Sequence, residues 1–180
     1  ANPPQTMLAD PGAEAILNLL PLALERRNAK HAPAPADQLA LKRLWENQAD
    51  KGDDKGSWSW FLNDLHPVES EHSIFYGTVL ADRAAAAYPL VKSDEPFAAA
   101  MRDYLRRNAP QQPLHNRLAY VALGSTKDAA FRKAVLNELW AAQSKDGGWT
   151  TKSLGPWSAR PDAPEDAGSN AYATAWAAFT

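Results

Sequence analysis

Two stretches of this chain carry the same side chains in the same order, and that repeat restricts its fold more than any other feature. Leu41, Leu44, Trp45 and Gln48 recur 95 residues later as Leu136, Leu139, Trp140 and Gln143. Gly56 and Trp58 recur at an offset of 91 as Gly147 and Trp149, so the first copy is four residues longer, with the extra residues placed at Gly52-Asp53-Asp54-Lys55. Tyr76, Thr78 and Ala81 then recur at an offset of 96 as Tyr172, Thr174 and Ala177. In each copy the first four residues fall at i, i+3, i+4 and i+7, one face of a 3.6-residue period. Asp146-Gly147-Gly148 breaks the second helix, because Asp-Gly and Gly-Gly accept the positive φ that tight turns need. Gln48 and Gln143 stand at helix C-termini, where an amide can satisfy orphan backbone groups at the turn on which the Trp ring packs.

The repeating unit is therefore two helices joined through a Gly–Trp turn. The helix pair from Glu95 to Leu123 fits as a degenerate middle copy, and half of the 95-residue offset gives a period of about 48, a helix-hairpin repeat length. Such a hairpin cannot bury its apolar faces alone, so neighbours must stack. Fourteen prolines, alanine runs and few β-branched residues point the same way, to an all-α chain with proline-bearing connections.

In chain order, residues 1–12 read as a leader and 13–180 as one domain. Helices are predicted over Ala13 to Asn28, with Pro21 placed to kink it, and after Asp37 as N-cap. Others follow over Val68 to Tyr88, over Glu95 to Asn108 capped by Ser93 and Asp94, and over Leu114 to Leu123. The last two run after a Ser125-Thr126 cap and from near Ser169 to Thr180. His31 to Pro35 reads as a linker, and Gly155 to Gly168 as a long loop.

Composition closes off several functions. A charged fraction of 22% and a net charge of −2 leave no footprint for nucleic acid. The absence of cysteine excludes disulfides, thiolate catalysis, Cys-ligated zinc and c-type haem attachment within these 180 residues. No apolar run approaches the roughly 20 residues of a membrane span, and no signal peptide stands at the start. A soluble chain is expected.

The motif Leu139-x3-Gln143-x3-Gly147-x-Trp149 resembles the QW motif of the squalene and hopene cyclases. Leu44-x3-Gln48-x7-Gly56-x-Trp58 is a longer copy, and both lack the basic-Gly pair that opens the family's motif. Asn170 to Ala175 resembles the inner-helix segment that follows such turns. Gly56-Ser57-Trp58-Ser59-Trp60 and Pro67-Val68-Glu69-Ser70 resemble turns of an exported bacterial group described as squalene cyclase-like. The resemblance implies an α/α-toroid of the terpenoid cyclase and protein prenyltransferase type, an exported, periplasmic location and an apolar isoprenoid as a possible ligand. A closed toroid of this type needs about twice the three and a half hairpins found here. The ring is therefore expected to be incomplete, with apolar edges that meet another protein chain, a second copy or a missing segment. Members of that group often carry a haem-binding Cys-x-x-Cys-His segment; none is present, and no cofactor is expected.

The family's chemistries lack their residues here. Squalene cyclases use an Asp-x-Asp-Asp acid, and Asp50-Lys51-Gly52-Asp53-Asp54 has the wrong spacing and reads as a solvated loop. The prenyltransferase zinc site needs a cysteine. His66, Glu69 and His72, spaced by three, are placed to share one side of a helix as ligands or an acid/base group, although Pro67 puts His66 ahead of it. If the second helix of each hairpin lines the centre, Glu69, His72, Tyr76, His115 and Tyr172 rim one cavity. Trp60, Phe75, Tyr76, Tyr120, Tyr172 and Trp176 are candidates for an aromatic lining that would favour cations. No catalytic residue and no metal site is assigned. The expectation is a binding or assembly module, with a terpenoid cyclase or isoprenoid-binding enzyme as the alternative.

Overall fold

The computed structural model describes residues 10–26, 32–63, 65–157 and 168–180. Among these the chain is all-α, with no strand. The helices are α1 (Pro11–Arg26), α2 (Pro35–Glu46), α3 (Ser73–Ala85), α4 (Glu95–Asn108), α5 (Leu114–Ala122), α6 (Ala129–Ala141), α7 (Thr151–Leu154) and α8 (Ala171–Phe179), with a 3-10 turn at Ala109–Gln111.

Helix starts differ from the sequence-based expectation wherever a different polar group reaches the free N–H groups of the first turn. α1 opens at Pro11, inside the expected leader, because proline's fixed φ suits the first turn and Asp10 Oδ1 accepts the Ala13 N–H at 2.9 Å. Its expected last residues and the linker His31 lie outside the described residues. Asp37 closes the start of α2, but from inside the helix and not as its N-cap, which is Ala34. It is the third residue, behind Pro35, and its carboxylate accepts the Ala34 N–H at 2.7 Å and the Tyr88 hydroxyl at 2.8 Å. Asp94 precedes α4 without capping it and instead accepts the Ser93 hydroxyl at 3.0 Å. Asp128, not Ser125 or Thr126, caps α6 by accepting the Phe131 N–H at 2.9 Å. The short α7 falls in a stretch that shows no helical period, and Thr150 caps it through the Ser153 N–H.

The start of α3 departs most. Leu65 and Glu69 exchange two backbone hydrogen bonds of 2.9 and 3.0 Å and close a tight turn around a cis His66–Pro67 peptide. The helix begins only at Ser73, so His66, Glu69 and His72 do not share a helical face.

The helices alternate between two rows. α1 packs on α2 and α3, α3 on α4 and α5, and α5 on α6. α8 joins through Tyr172 and Trp176, whose rings stack on His115 of α5. Thus α1, α3, α5 and α8 follow one another, flanked by α2, α4 and α6. One core fills α1 to α4 around Ile16, Leu44, Trp58 and Phe75, and a second fills α5 to α8 around Leu118, Val135, Leu139 and Leu154. Gly77 admits the Trp60 ring, which lies where a Cβ would stand.

The sequence repeat has a matching repeat of bonds. The Trp58 indole donates to the Leu44 carbonyl and the Trp149 indole to the Leu139 carbonyl, both at 2.7 Å. Gln48 Nε2 donates to the Gly56 carbonyl at 3.2 Å, and Gln143 Nε2 to the Gly147 carbonyl at 2.6 Å. The backbone bond from Ala49 N–H to Ser57 O, 2.9 Å, has its equivalent in Ser144 N–H to Gly148 O, 2.8 Å. Gly56 and Gly147 take φ of +96° and +89°. Trp45 meets Trp58 at 5.9 Å between ring centroids, and Trp140 meets Trp149 at 5.7 Å. The longer first copy absorbs its extra residues in the exposed loop from Asp50 to Lys55, outside these bonds.

The second clasp also seats α8. Thr174 Oγ1 accepts the Trp149 N–H at 3.1 Å, the Trp149 carbonyl accepts the Asn170 N–H at 2.9 Å, and the Asp146 carboxylate accepts both the N–H and the hydroxyl of Ser169. These bonds from Ser169 hold the Asp146 carboxyl below the usual carboxylate range.

The two turn glycines differ in their surroundings. A Cβ on Gly56 would collide with the Ala100 carbonyl of α4, whereas one on Gly147 meets nothing within 4 Å. Gly147→Ala should therefore cost only the left-handed backbone penalty, about 1–2 kcal/mol. Gly56→Ala adds an overpacking cost of about 1–3 kcal/mol. Urea unfolding of the two variants checks this, and equal losses would contradict the packing of α4 on the first clasp.

Candidate functional site

Adjacent packing of α3, α5 and α8 brings Tyr76, His115 and Tyr172 together. His115 is fully buried. Its ring stacks on Trp176 at 4.9 Å and 17° and on Tyr172 at 6.1 Å and 17°, with Tyr76 at 5.7 Å. Trp157 meets it edge-on at 6.0 Å, and meets His66 and His72 in the same manner at 5.7 and 6.1 Å. The Trp157 indole N–H is buried and has no acceptor among the described residues.

The hydrogen bonds fix the His115 tautomer. Asn116 Nδ2 donates to the His72 carbonyl at 2.9 Å, which turns Asn116 Oδ1 towards His115 Nδ1 at 3.0 Å. An amide oxygen only accepts, so the proton sits on Nδ1. Nε2 then accepts from the Tyr172 hydroxyl at 2.8 Å. Burial pulls the His115 pKa down to about 4, against a smaller upward pull from Asn116. Burial, with Tyr76 adding to it, pushes the Tyr172 hydroxyl up to about 12, and burial also raises Tyr76. At neutral pH the relay is thus uncharged throughout. Its histidine is a weak base whose one lone-pair nitrogen is already engaged. This arrangement orients rings and a hydroxyl, and it supplies no strong acid.

Glu69 and His72 do not complete a ring of polar groups around it. Glu69 is tied into its turn and its carboxylate accepts from Asn63 Nδ2 at 2.9 Å. His72 Nε2 lies 3.6 Å from the Glu71 carboxylate, with its ring against Trp157. Of the residues expected to rim one cavity, Tyr76, His115 and Tyr172 come together as packed rings, His72 reaches them through Trp157, and Glu69 stays in its own turn. The residues expected as an aromatic lining divide between two places. Phe75 and Tyr120 pair at 5.9 Å within the first core, while Trp60, Tyr76, Trp176 and Phe179 run on as a string of neighbouring rings at 5.9 to 6.5 Å. Phe179 is 60% exposed, so this string has an accessible end. Asp53 and Asp54 are exposed in the loop of the first clasp. Among the described residues no group of three His, Asp or Glu side chains is arranged to hold a metal ion.

Cavities occur elsewhere. One of about 620 Å³ lies between α2, α3, α4 and the start of α6, with Trp45, Tyr88, Met101 and Tyr120 among its apolar walls and Arg102 and Asp82 among its charges. Asp82 is 4% exposed and its carboxylate accepts the Ser125 N–H at 2.6 Å. Burial raises its pKa, while Ser125 and Arg102 pull the other way. Sequence reasoning missed Asp82. The available signal was a single acid on the small-residue face of α3, one residue after Ala81.

A third feature is an edge. Trp45, 6% exposed, is stacked on by Phe97 of α4 at 6.0 Å and 19°; its repeat equivalent Trp140 is 63% exposed. Leu136, Leu139 and Trp140 were expected to bury one face of α6; Leu139 is buried, and the outer part of that face is open because no helix among the described residues lies beyond it. Among the described residues no helix is long and apolar enough to cross a membrane. The chain matches no protein-family model, no curated protein and no solved structure.

The buried His115 sets a pH dependence. Its folded pKa, about 4, lies below the ordinary 6.5, so between these values the unfolded chain binds more protons. Stability should fall as pH drops from about 6.5 towards 4, by at most ~1.4 kcal/mol per pH unit. Asp82, whose pKa is raised, works in the opposite sense, losing stability as pH rises. Comparison with His115→Gln by urea unfolding isolates the histidine: a flatter acid slope is expected, and an unchanged slope would contradict the neutral buried ring.

Proposed function

We propose that this chain is a squalene cyclase-like α/α-toroid module, an incomplete ring with a role in binding or assembly rather than in catalysis. The observation that carries this reading is the repeated clasp. Two Trp indoles close the same bond to the end of a flanking helix, and the first clasp is covered by α4 while the second is open. Alternating rows of helices agree with a toroid. The open end calls for a protein neighbour, whether another chain, a second copy or a segment that continues the ring. The uncharged His115 relay supports a role without acid catalysis. An exported, periplasmic location follows from the resemblance alone.

The string of rings from Trp60 to Phe179 favours one alternative, a terpenoid cyclase or isoprenoid-binding enzyme, in which aromatic faces stabilise developing cations. Incubation with squalene and product analysis separates the two. The module reading expects unchanged squalene, and a cyclised product would overturn it in favour of the enzyme. The assembly role is tested by sedimentation together with an apolar fluorescent dye. The chain should self-associate or light the dye, with Trp140→Lys reducing either effect. A monomer that leaves the dye dark would contradict the open edge.

A further inference from the structure

Comparison of the two clasps shows what is missing from the second. In the first, three separate contacts are made by the opening turns of α4. The Phe97 ring stacks on Trp45 at 6.0 Å and 19°. Gln48 Nε2, besides holding the Gly56 carbonyl, donates at 3.0 Å to the Phe97 carbonyl. The Ala100 carbonyl of α4 occupies the place where Gly56 would carry a Cβ. In the second clasp each of these positions is present and, among the described residues, vacant. Trp140 is 63% exposed. Gln143 is exposed and its amide nitrogen donates only within its own clasp, to Gly147. Nothing stands within 4 Å of a Cβ on Gly147.

We propose that the edge formed by Trp140, Gln143 and Gly147 is a docking site for a protein α-helix whose third residue is aromatic, laid across the second clasp as α4 is laid across the first. The inference rests on the module reading and names the partner's chemistry. The aromatic ring covers Trp140, the carbonyl of the same residue takes the second Gln143 N–H, and the backbone one turn on runs over Gly147. Only glycine leaves room for that approach, as Gly56 does for Ala100. Phe97 is the third residue of α4 and Phe131 the third of α6, so the flanking helices of this chain already carry the required feature. α2 is different. Its third residue is Asp37, whose carboxylate is taken up by Ala34 and Tyr88. A second copy adding head to tail through α2 therefore brings no ring to Trp140, and a partner with its own Pro-aromatic helix start fits the edge.

The probe is a synthetic peptide of residues 93–108, the chain's own α4, with a lactam staple between positions 102 and 106, opposite Phe97. The staple offsets the marginal helicity of a segment this short. It is titrated into the full 180-residue chain and read by the NMR signals of the Trp140 indole, the Gln143 side-chain amide and the Gly147 amide. Saturable shifts at all three are expected. They should weaken at least about tenfold with the Phe97→Ala peptide and with the Trp140→Ala chain, because an aromatic pair and its buried area are both lost. Trp140 is largely exposed, so Trp140→Ala leaves the cores intact, and the peptide variant does not touch the chain at all. Three results would overturn the proposal: no shift at the highest peptide concentration, shifts equally strong with the Phe97→Ala peptide, or shifts confined to other parts of the chain. If the Trp58 and Trp149 indole signals stay dispersed in any of these cases, the docking site alone falls; if they collapse to the values of an unfolded chain, the module reading falls with it.

Discussion

A tryptophan indole N–H bound to the last-turn carbonyl of a flanking helix is the contact on which this structure depends. The carbonyls of Leu44 and Leu139 lie in a last helical turn, where each accepts one backbone N–H, from Asn47 and Ala142, and the indoles of Trp58 and Trp149 supply a second donor. A buried hydrogen bond of this kind contributes only about 1 kcal/mol net, but an indole N–H kept buried without its carbonyl would cost about 1–3 kcal/mol. Its larger effect is geometric. The ring has to lie under the helix it bonds to, so the chain after it must leave in a fixed direction. After Trp58 that direction carries Trp60 onto Gly77 of α3; after Trp149 it carries Asn170 and Thr174 of α8 onto the Trp149 backbone. The pairing of flanking and central helices is set at these two points.

The same device in two settings separates architecture from function. The indole bonds of the two clasps are both 2.7 Å, and the positive-φ glycine is needed in both because each turn demands it. What differs is the surroundings. One clasp is roofed by a helix and the other faces outward with a tryptophan, an amide and an open glycine. The His115 cluster differs in kind. Its groups are mutually satisfied, its rings are stacked, and its histidine is kept neutral by burial. It behaves as a polar pin between α5 and α8 inside an aromatic string. The accessible chemistry lies instead at the exposed rings and at the open clasp.

Much of the architecture was legible because it rests on strong local signals. The α4 and α5 spans follow from Pro96 and Pro113 at their starts and from apolar periods that match burial. The clasps were legible because repeats at fixed offsets survive an insertion, and the extra residues fell in the loop between Ala49 and Gly56. The caps were less legible. Ser, Thr or Asp stands near most helix starts, and which one bonds is decided by where the backbone turns. The start of α3 was hidden because Val68 to His72 has helical composition, while a two-bond turn between Leu65 and Glu69 holds it in another shape. The pairing of His115 with Tyr172, 57 residues apart, depends on how α5 and α8 pack. The repeat made Tyr172 the equivalent of Tyr76 and carried no distance between them. Asp82 and its cavity left almost no trace, because one acid on an apolar face reads as a solvated edge until the Ser125 backbone is brought to it.

The central claim is that the second clasp is the first clasp without its covering helix. Hydrogen exchange of the seven tryptophan indole N–H groups, resolved by NMR, reads this directly. Trp58 and Trp149 should exchange slowly and to a similar degree, because both indoles are buried and bonded to a helix carbonyl, while Trp140 should exchange close to the rate of a free indole. A Trp149 that exchanges as fast as Trp140 while Trp58 stays protected would show that the two clasps are not the same structure and would contradict the account.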